Sequence, residues 1–350
     1  MEQSAAAKLN PEGAAKAVEV SPALFFAGSF SFAITSILLT AVDLDLFTAI
    51  DKGAETVERL AKETSCSTRG LRILLDALTA TGFLTKDGGC YLLTPTSAAY
   101  LSKQSRTYAG GMALHARMLR DGWDHLTEIV RTGAVPRAVE SEEDRGEFFA
   151  QLVGSLYGLN TPAAEEVARQ LWKGEPPSPC RVLDIGAGSA VWSLALAREV
   201  SHAQVTVADW PAVIEKATKQ FVAQNNATDR YNYLIGDFHE VDFGESAFDV
   251  AYLGHICHSE GAENSRALIR RIHRALRQGG KLVIADLLPD ERRSQATVPL
   301  LFGVNMLVNT DEGDVFTLGE YRQWLEADGF GDVRTVEVPS VSPVIVATKV

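Results

Sequence analysis

Two spacings of apolar residues divide this chain. Up to about residue 174 the apolar positions recur at the three-and-four interval of a helix. Residues 67–81 show it best: Leu71, Leu74, Leu75 and Leu78 share one face, and Gly82 closes the helix they predict. Directly afterwards, residues 84–86 and 90–94 flank the turn Asp87-Gly88-Gly89, which predicts a β-hairpin. Helix, turn, helix and hairpin together predict a winged helix. Beyond residue 175 the pattern changes to short apolar runs at residues 181–185, 204–208, 231–235, 249–253 and 281–285, separated by helical stretches. That alternation predicts an α/β, Rossmann-like, doubly wound and mostly parallel sheet. Two last runs, residues 332–338 and 343–349, are too close together for a crossover, so they predict a C-terminal antiparallel hairpin.

One early stretch breaks the rhythm. Residues 23–42 carry no charge over a length able to span a bilayer. Gly28, Ser29, Ser31, Thr35, Ser36 and Thr40 dilute the run, and no basic cluster flanks it. It is expected to be an apolar helix buried against another subunit, not a membrane span. Residues 1–21 are expected to form a tail, and the polar patch at residues 140–147 a solvated connector.

The sharpest local signal is VLDIGAGSA at residues 182–190. An apolar run ends in Asp184 and opens into Gly186-x-Gly188, where side chains would block a ligand from the backbone amides. The dinucleotide pattern asks for a third glycine, but Val191 stands there. A second acid, Asp209, follows about 20 residues later, the spacing of a ribose contact. A ribose without a pyrophosphate is the better fit.

Four motifs then stand in order: VLDIGAGSA, ADWP with Asp209-Trp210-Pro211, GDF at Gly236-Asp237-Phe238, and LRQGGKLVIAD at residues 276–286. With them the chain resembles the class I S-adenosylmethionine (SAM)-dependent methyltransferases, and more narrowly the small-molecule O-methyltransferases that carry an N-terminal winged-helix dimerisation domain. The resemblance runs from about residue 22 to residue 350 and implies SAM as cofactor, a homodimer and a small-molecule acceptor. The expected organisation is a tail at 1–21, a winged-helix dimerisation domain at 22–105, a helical connector lining the substrate pocket at 106–174, and a SAM-binding domain at 175–350.

Ligands of doubly wound sheets lie at the carboxyl ends of the strands. Asp184, Gly186 and Gly188 are expected to hold the methionine end of the cofactor, with Trp210 beside Asp209. Asp209 can accept both ribose hydroxyls, and Asp237 and Phe238 are placed to take the adenine edge and face. A hydroxyl acceptor also needs its proton removed, and a histidine suits that task near neutral pH. The resemblance places the general base at His258. The family follows that residue with Asp, but Ser259 stands here, and Val315 occupies the position of the family's orienting glutamate. Asp311, Glu312 or Asp314 are the candidate replacements. His255, Asn305, Met306 and Asn309 are expected to contact the acceptor, with His115, Trp123 and Tyr157 from the connector. Met118, His125, Phe148 and Phe149 are further candidates to line the pocket. No metal-ligand cluster accompanies the segment at residues 300–309, so a metal-independent reaction is expected.

Composition narrows the field. The 350 residues carry a net charge of −12, which disfavours nucleic acid or an anionic membrane as the main partner. Cys66, Cys90, Cys180 and Cys257 form no CxxC pair, which fits a reduced, cytoplasmic chain. Two rival readings stay open: methylation of carbon or nitrogen, which needs no strong base, and a winged-helix regulator. The latter suffers because Arg69 and Arg72 are the only bases on its recognition helix, and Asp76 offsets them.

Overall fold

The computed structural model describes residues 22–134, 142–172 and 174–350, with only the backbone for residue 121 and residues 142–151. The expected tail at 1–21, part of the polar patch, and the side chains of Phe148 and Phe149 lie outside the described residues. The N-terminal half is helical: α1 Ala23–Ser29, α2 Ser31–Asp43, α3 Leu46–Asp51, α4 Val57–Thr64 and α5 Thr68–Ala80, then the hairpin β1 Leu84–Asp87 and β2 Cys90–Leu93. Thr56 and Ser67 cap α4 and α5 by accepting the backbone N–H three residues on, the usual reason a helix starts at such residues. Leu60, Leu71, Leu75, Leu78 and Tyr91 pack with Phe47 into a core of their own.

The apolar stretch at residues 23–42 forms not one helix but two. α1 and α2 meet at Phe30 with a bend of 46°, and no single helix among the described residues is long and apolar enough to cross a membrane. Ser36 and Thr40 turn their hydroxyls back onto carbonyls four residues earlier within α2, and Ser31 bonds the Gly28 carbonyl across the break; back-bonding of this kind satisfies the hydroxyls and favours bending. The polar patch is also corrected. From Glu142 onward it belongs to a long helix, α9.

Next come α6 Pro95–Tyr100, α7 Gly110–Asp124, α8 Leu126–Thr132 and α9 Glu142–Gln170. The sheet half follows as β3 Cys180–Ile185, α10 Val191–Glu199, β4 Ala203–Asp209, α11 Pro211–Val213, α12 Lys219–Gln224, β5 Tyr231–Ile235 and β6 Phe248–Gly254. It continues through α13 Cys257–Ala275, β7 Leu276–Ala285, α14 Thr297–Asn309, α15 Leu318–Ala327, β8 Phe330–Val336 and β9 Val344–Lys349. The seven-stranded sheet has the order β5-β4-β3-β6-β7-β9-β8. Pairing is parallel from β5 to β7, while β9 is antiparallel to both neighbours.

The central strands read as nearly unbroken apolar runs because helices cover both faces. Val182, Val205 and Val250 pack under α9 and α10 on one face, and Leu183, Leu253 and Ile284 pack against α13 and α15 on the other. The chain runs outward from β3 to β5 and then returns to place β6 against β3. That reversal opens a crevice beyond the carboxyl ends of β3, β4 and β6.

Candidate active site

Five strand ends supply the crevice. After β3 the chain turns through Gly186 (φ 58°), Gly188 (φ 56°) and Ala190 (φ 55°) before α10 begins. A methyl group on Gly186 would lie 2.3 Å from Ile256 Cδ1, and one on Gly188 would lie 2.7 Å from Val153 Cγ1 of α9. Neither position has room for a side chain, so the turn presents bare backbone. Gly186 donates to the carbonyl of Ala208, which ties the turn to β4.

At the end of β4, Asp209 is buried and accepts the N–H of Gly188 at 2.9 Å and that of Trp210 at 2.8 Å. Desolvation raises its carboxyl to about 6 against the pull of those two bonds. A carboxylate has about four acceptor sites, so two remain for a ribose diol. Trp210 stands half-buried at the start of α11. After β5, Asp237 is half-buried and Phe238 is buried, with the Phe238 ring 4.8 Å from that of His239. The imagined methyl on Gly186 would also be 3.6 Å from Phe238, so the glycine turn and this ring face one space. These residues fit an adenosyl group.

Asp184 does not join them. It is fully buried, its carboxylate accepts the hydroxyl of Ser193 on α10, and Tyr231 donates to the same serine. Burial raises its carboxyl to about 7. It secures α10 to β3 beneath the turn instead of facing the crevice.

His258 lies in the first turn of α13, buried, with its ring edge-on to Phe302 of α14 at 4.8 Å. Its Nδ1–H donates to Asp286 Oδ1 at 2.6 Å. Asp286 follows β7 and also accepts the His258 N–H at 3.1 Å, the Leu287 N–H at 2.8 Å and the Tyr321 hydroxyl at 2.8 Å. Burial alone would raise this carboxyl, but the neighbouring histidines and the tyrosine hold it below its ordinary value. It is therefore ionised, and it fixes the histidine tautomer with Nε2 as the acceptor.

The acid on the His258 ring is thus Asp286, not Asp311, Glu312 or Asp314. The loop at residues 310–314 supports the base through its backbone: Asp314 N–H donates to the His258 carbonyl at 2.9 Å, while the Asp314 carboxylate turns to Val315 N–H. Gly261 (φ 73°) breaks α13 just after His258, and the Glu312 backbone, 2.5 Å from where its Cβ would be, leaves room there for glycine alone. Ser259, where the family has Asp, donates to the Ile256 carbonyl and closes the turn. Asp286 was legible as the acid closing LRQGGKLVIAD, by the same strand-end rule that picked out Asp209.

On the acceptor side the structure brings some of the expected residues together and turns others away. Trp123 on α7 donates its indole N–H to Asn305 Oδ1 at 3.2 Å, which joins α7 to α14, and buried Met306 lies beside the segment carrying the base. His115 is buried on α7, and desolvation lowers its imidazole. Asn309 is exposed and spends its amide on Asn305 of its own helix. Tyr157 stacks on Phe221 at 4.5 Å and bonds Arg198 at 2.7 Å, so it braces α9 against α10 and α12, away from the base. Met118 and His125 face solvent. Phe302 was missed, although it shares the α14 segment with Asn305 and Met306.

Sequence and structure comparisons fall on this same frame. The O-methyltransferase domain model matches residues 178–331, and the O-methyltransferase dimerisation domain model matches residues 27–103. The tetracenomycin polyketide synthesis 8-O-methyl transferase TcmO of Streptomyces glaucescens is 32% identical over 89% of this chain and 92% of its own length. This chain belongs to the SAM-dependent O-methyltransferases. It is an enzyme of methyl transfer, and SAM is its cofactor. The 3-hydroxy-5-methyl-1-naphthoate 3-O-methyltransferase of Streptomyces sahachiroi is 31% identical over 87% of this chain and 88% of that protein. A crystal structure of a putative O-methyltransferase from Nostoc punctiforme superposes with a TM-score of 0.83 at 30% identity, covering 94% of this chain and 99% of the other. Human N-acetylserotonin methyltransferase, solved with SAM, shares the fold with a TM-score of 0.77 at 24% identity, over 96% and 99% of the two chains. More distant relatives include the N,N-dimethyltransferase OxyT of Streptomyces rimosus, 28% identical over 84% of this chain and 86% of its own length.

Proposed function

We propose that this O-methyltransferase methylates a hydroxyl on an aromatic, polyketide-like acceptor, with His258 as general base and without a metal. The observation that carries the reading is the Nδ1–H bond from His258 to the buried, ionised Asp286. That bond leaves Nε2 unprotonated and gives the imidazolium a countercharge once it takes the acceptor proton. Bound SAM supplies an electrophilic methyl on a sulfonium. The chain does the rest: the glycine turn, Asp209, Asp237 and Phe238 hold the adenosyl end, while Phe302 and Met306 wall the acceptor beside the base. Holding two reactants in line is itself worth much of the barrier.

His255, His258 and Asp286 bring one potential ligand atom each within 4.8 Å of one another, a grouping that the sequence did not reveal. Asp286 already accepts four donors, which uses the acceptor capacity of a carboxylate. Its lone pairs are committed to His258, Leu287 and Tyr321, which favours the metal-independent reaction. Methylation of nitrogen, the activity in OxyT's name, would not require an oriented base.

The dimerisation-domain match and the exposed apolar face of α1 and α2 support a homodimer. The helices α3 to α5 and the hairpin β1–β2 would then be a winged-helix platform for pairing, with the boundaries at 22–105, 106–174 and 175–350 as its domains. DNA binding is disfavoured further because Arg72 and Lys86 are both tied to Asp76.

His258→Ala is expected to lower kcat on a naphthol acceptor about 100-fold or more, with affinity for SAM unchanged by calorimetry. Normal turnover would remove His258 from the role, and absence of any SAM uptake by the wild-type chain would overturn the reading as a whole.

A further inference from the structure

The carboxylate beside His258 is held in turn by a side chain of α15. That helix is capped by Thr317, which accepts the Glu320 N–H at 3.2 Å while the Glu320 carboxylate accepts the Thr317 N–H at 2.7 Å. The reciprocal cap fixes where the first turn starts, and so where Tyr321 points. Its ring is fully buried, edge-on to Phe316 at 6.0 Å and to Trp324 at 5.3 Å. The ring alone would satisfy this apolar packing, and a hydroxyl on it costs free energy unless it finds a partner. It finds Asp286 Oδ2 at 2.8 Å.

The four donors divide evenly over that carboxylate. Oδ1 takes the His258 Nδ1–H and the Leu287 N–H, and Oδ2 takes the His258 N–H and the Tyr321 hydroxyl. Two of the four are backbone amides, which any residue but proline supplies. Among the described residues Tyr321 is therefore the one side chain, besides His258, that draws on the Asp286 charge. Burial opposes ionisation of Asp286, and His258, then His255 and the Tyr321 hydroxyl, outweigh it. Burial and the Asp286 charge raise the Tyr321 phenol well above its ordinary value, so it stays a donor. The groups around the pair leave this balance to it. Burial pushes the Cys257 thiol up to about 12 and desolvation lowers the His255 imidazole to about 4, so both are neutral. Glu260 turns to His239, Asp311, Glu312 and Asp314 are exposed, and α14 presents the uncharged Phe302 and Met306. A carboxylate whose charge is spread over more donors pulls less strongly on a neighbouring proton.

We infer that Tyr321 is a positioning residue for the base: by taking up part of the Asp286 charge, its hydroxyl keeps His258 unprotonated, and the enzyme active, to lower pH. The inference rests on His258 as the base and adds what sets its working range.

A titration tests it without requiring turnover. On the full chain, with its seven histidines labelled with ¹³C at Cε1 and a chelator present, the His258 resonance is identified by its loss in His258→Asn and followed against pH. Tyr321→Phe is expected to raise the His258 midpoint by about half a pH unit or more, and to move the acid limb of kcat/KM for a naphthol upward with it. Lost packing alone would lower Tm and leave the midpoint where it was. Should Tyr321→Phe not fold, Tyr321→3-fluorotyrosine keeps the shape and donates a stronger bond, and the midpoint is expected to fall. An unmoved midpoint, or one displaced in the opposite sense, overturns the inference while His258 keeps its role. A wild-type midpoint that does not coincide with the acid limb of kcat/KM removes His258 as the base, and the reading beneath the inference fails with it.

Discussion

Asp286 accepts four hydrogen bonds, and each fixes a different part of the centre: the base's ring, the base's backbone, the start of the following loop and the Tyr321 hydroxyl on α15. Asp286→Asn keeps the volume but puts an amide where an anion stood. The His258 tautomer then loses its reason to be fixed, and kcat is expected to fall by about 10²-fold or more, with SAM affinity preserved. A buried donor left facing the amide costs about 1–3 kcal/mol, so Tm should also drop by several degrees. Unchanged turnover in a stably folded Asp286→Asn chain would refute the assignment. At this scale the positions on the cofactor side were legible, because Gly186, Gly188, Asp209 and Phe238 each lie at the end of a strand or within three residues of it. Asp184 was misplaced because the sequence shows that an acid precedes the turn but not which way its carboxylate points. Tyr157 was misplaced for the same reason. Its partners Arg198, Phe221 and Asn225 come from distant segments that meet only in the fold.

α13 is the element that joins the two ends of the reaction. It starts at the base, and Glu260 in its first turn bonds His239 Nε2 at 2.6 Å, beside Phe238. Further along, Arg271 donates to the Phe238 and Val241 carbonyls and lies 4.5 Å over the Phe243 ring. The loop that carries Asp237 and Phe238 is thereby stapled to the helix that carries His258. The Glu260 hydrogen bond raises the His239 imidazole against the opposing effect of burial, with Asp237 adding to the rise and Arg271 reducing it. A raised value means that the pair stabilises the fold fully below the unfolded value near 6.5 and loses that contribution as pH climbs through the folded one. Glu260→Gln should therefore lower Tm most at about pH 6 and hardly at all at pH 9. An exposed pair contributes about 0.2–1 kcal/mol, so the gap should be a degree or two. A gap independent of pH would contradict the ion pair. Element existence was legible throughout the sheet. The break at Phe30 was not, because the apolar run on either side is uniform and the Ser31 hydroxyl that bonds the Gly28 carbonyl across the bend gives no signal in the sequence.

For the molecule as a whole, the largest unsatisfied feature is the face of α1 and α2, where Leu24 is 85% exposed, Phe25 72% and Phe32 62%. A patch of that kind is an interface waiting for its other half. Sedimentation of the wild type is expected at twice 37.9 kDa, and the double substitution Phe25→Asp and Phe32→Asp should shift it to the single mass. A wild type that sediments as one chain at micromolar concentration would rule out the pairing. The connector has a consequence of its own. Val153 of α9 rests against Gly188, so one wall of the nucleotide crevice is a rod of 29 residues and not a short flap. Widening the crevice at Gly188 therefore means moving the turn of α9 that carries Val153, and with it the packing of that helix on α10.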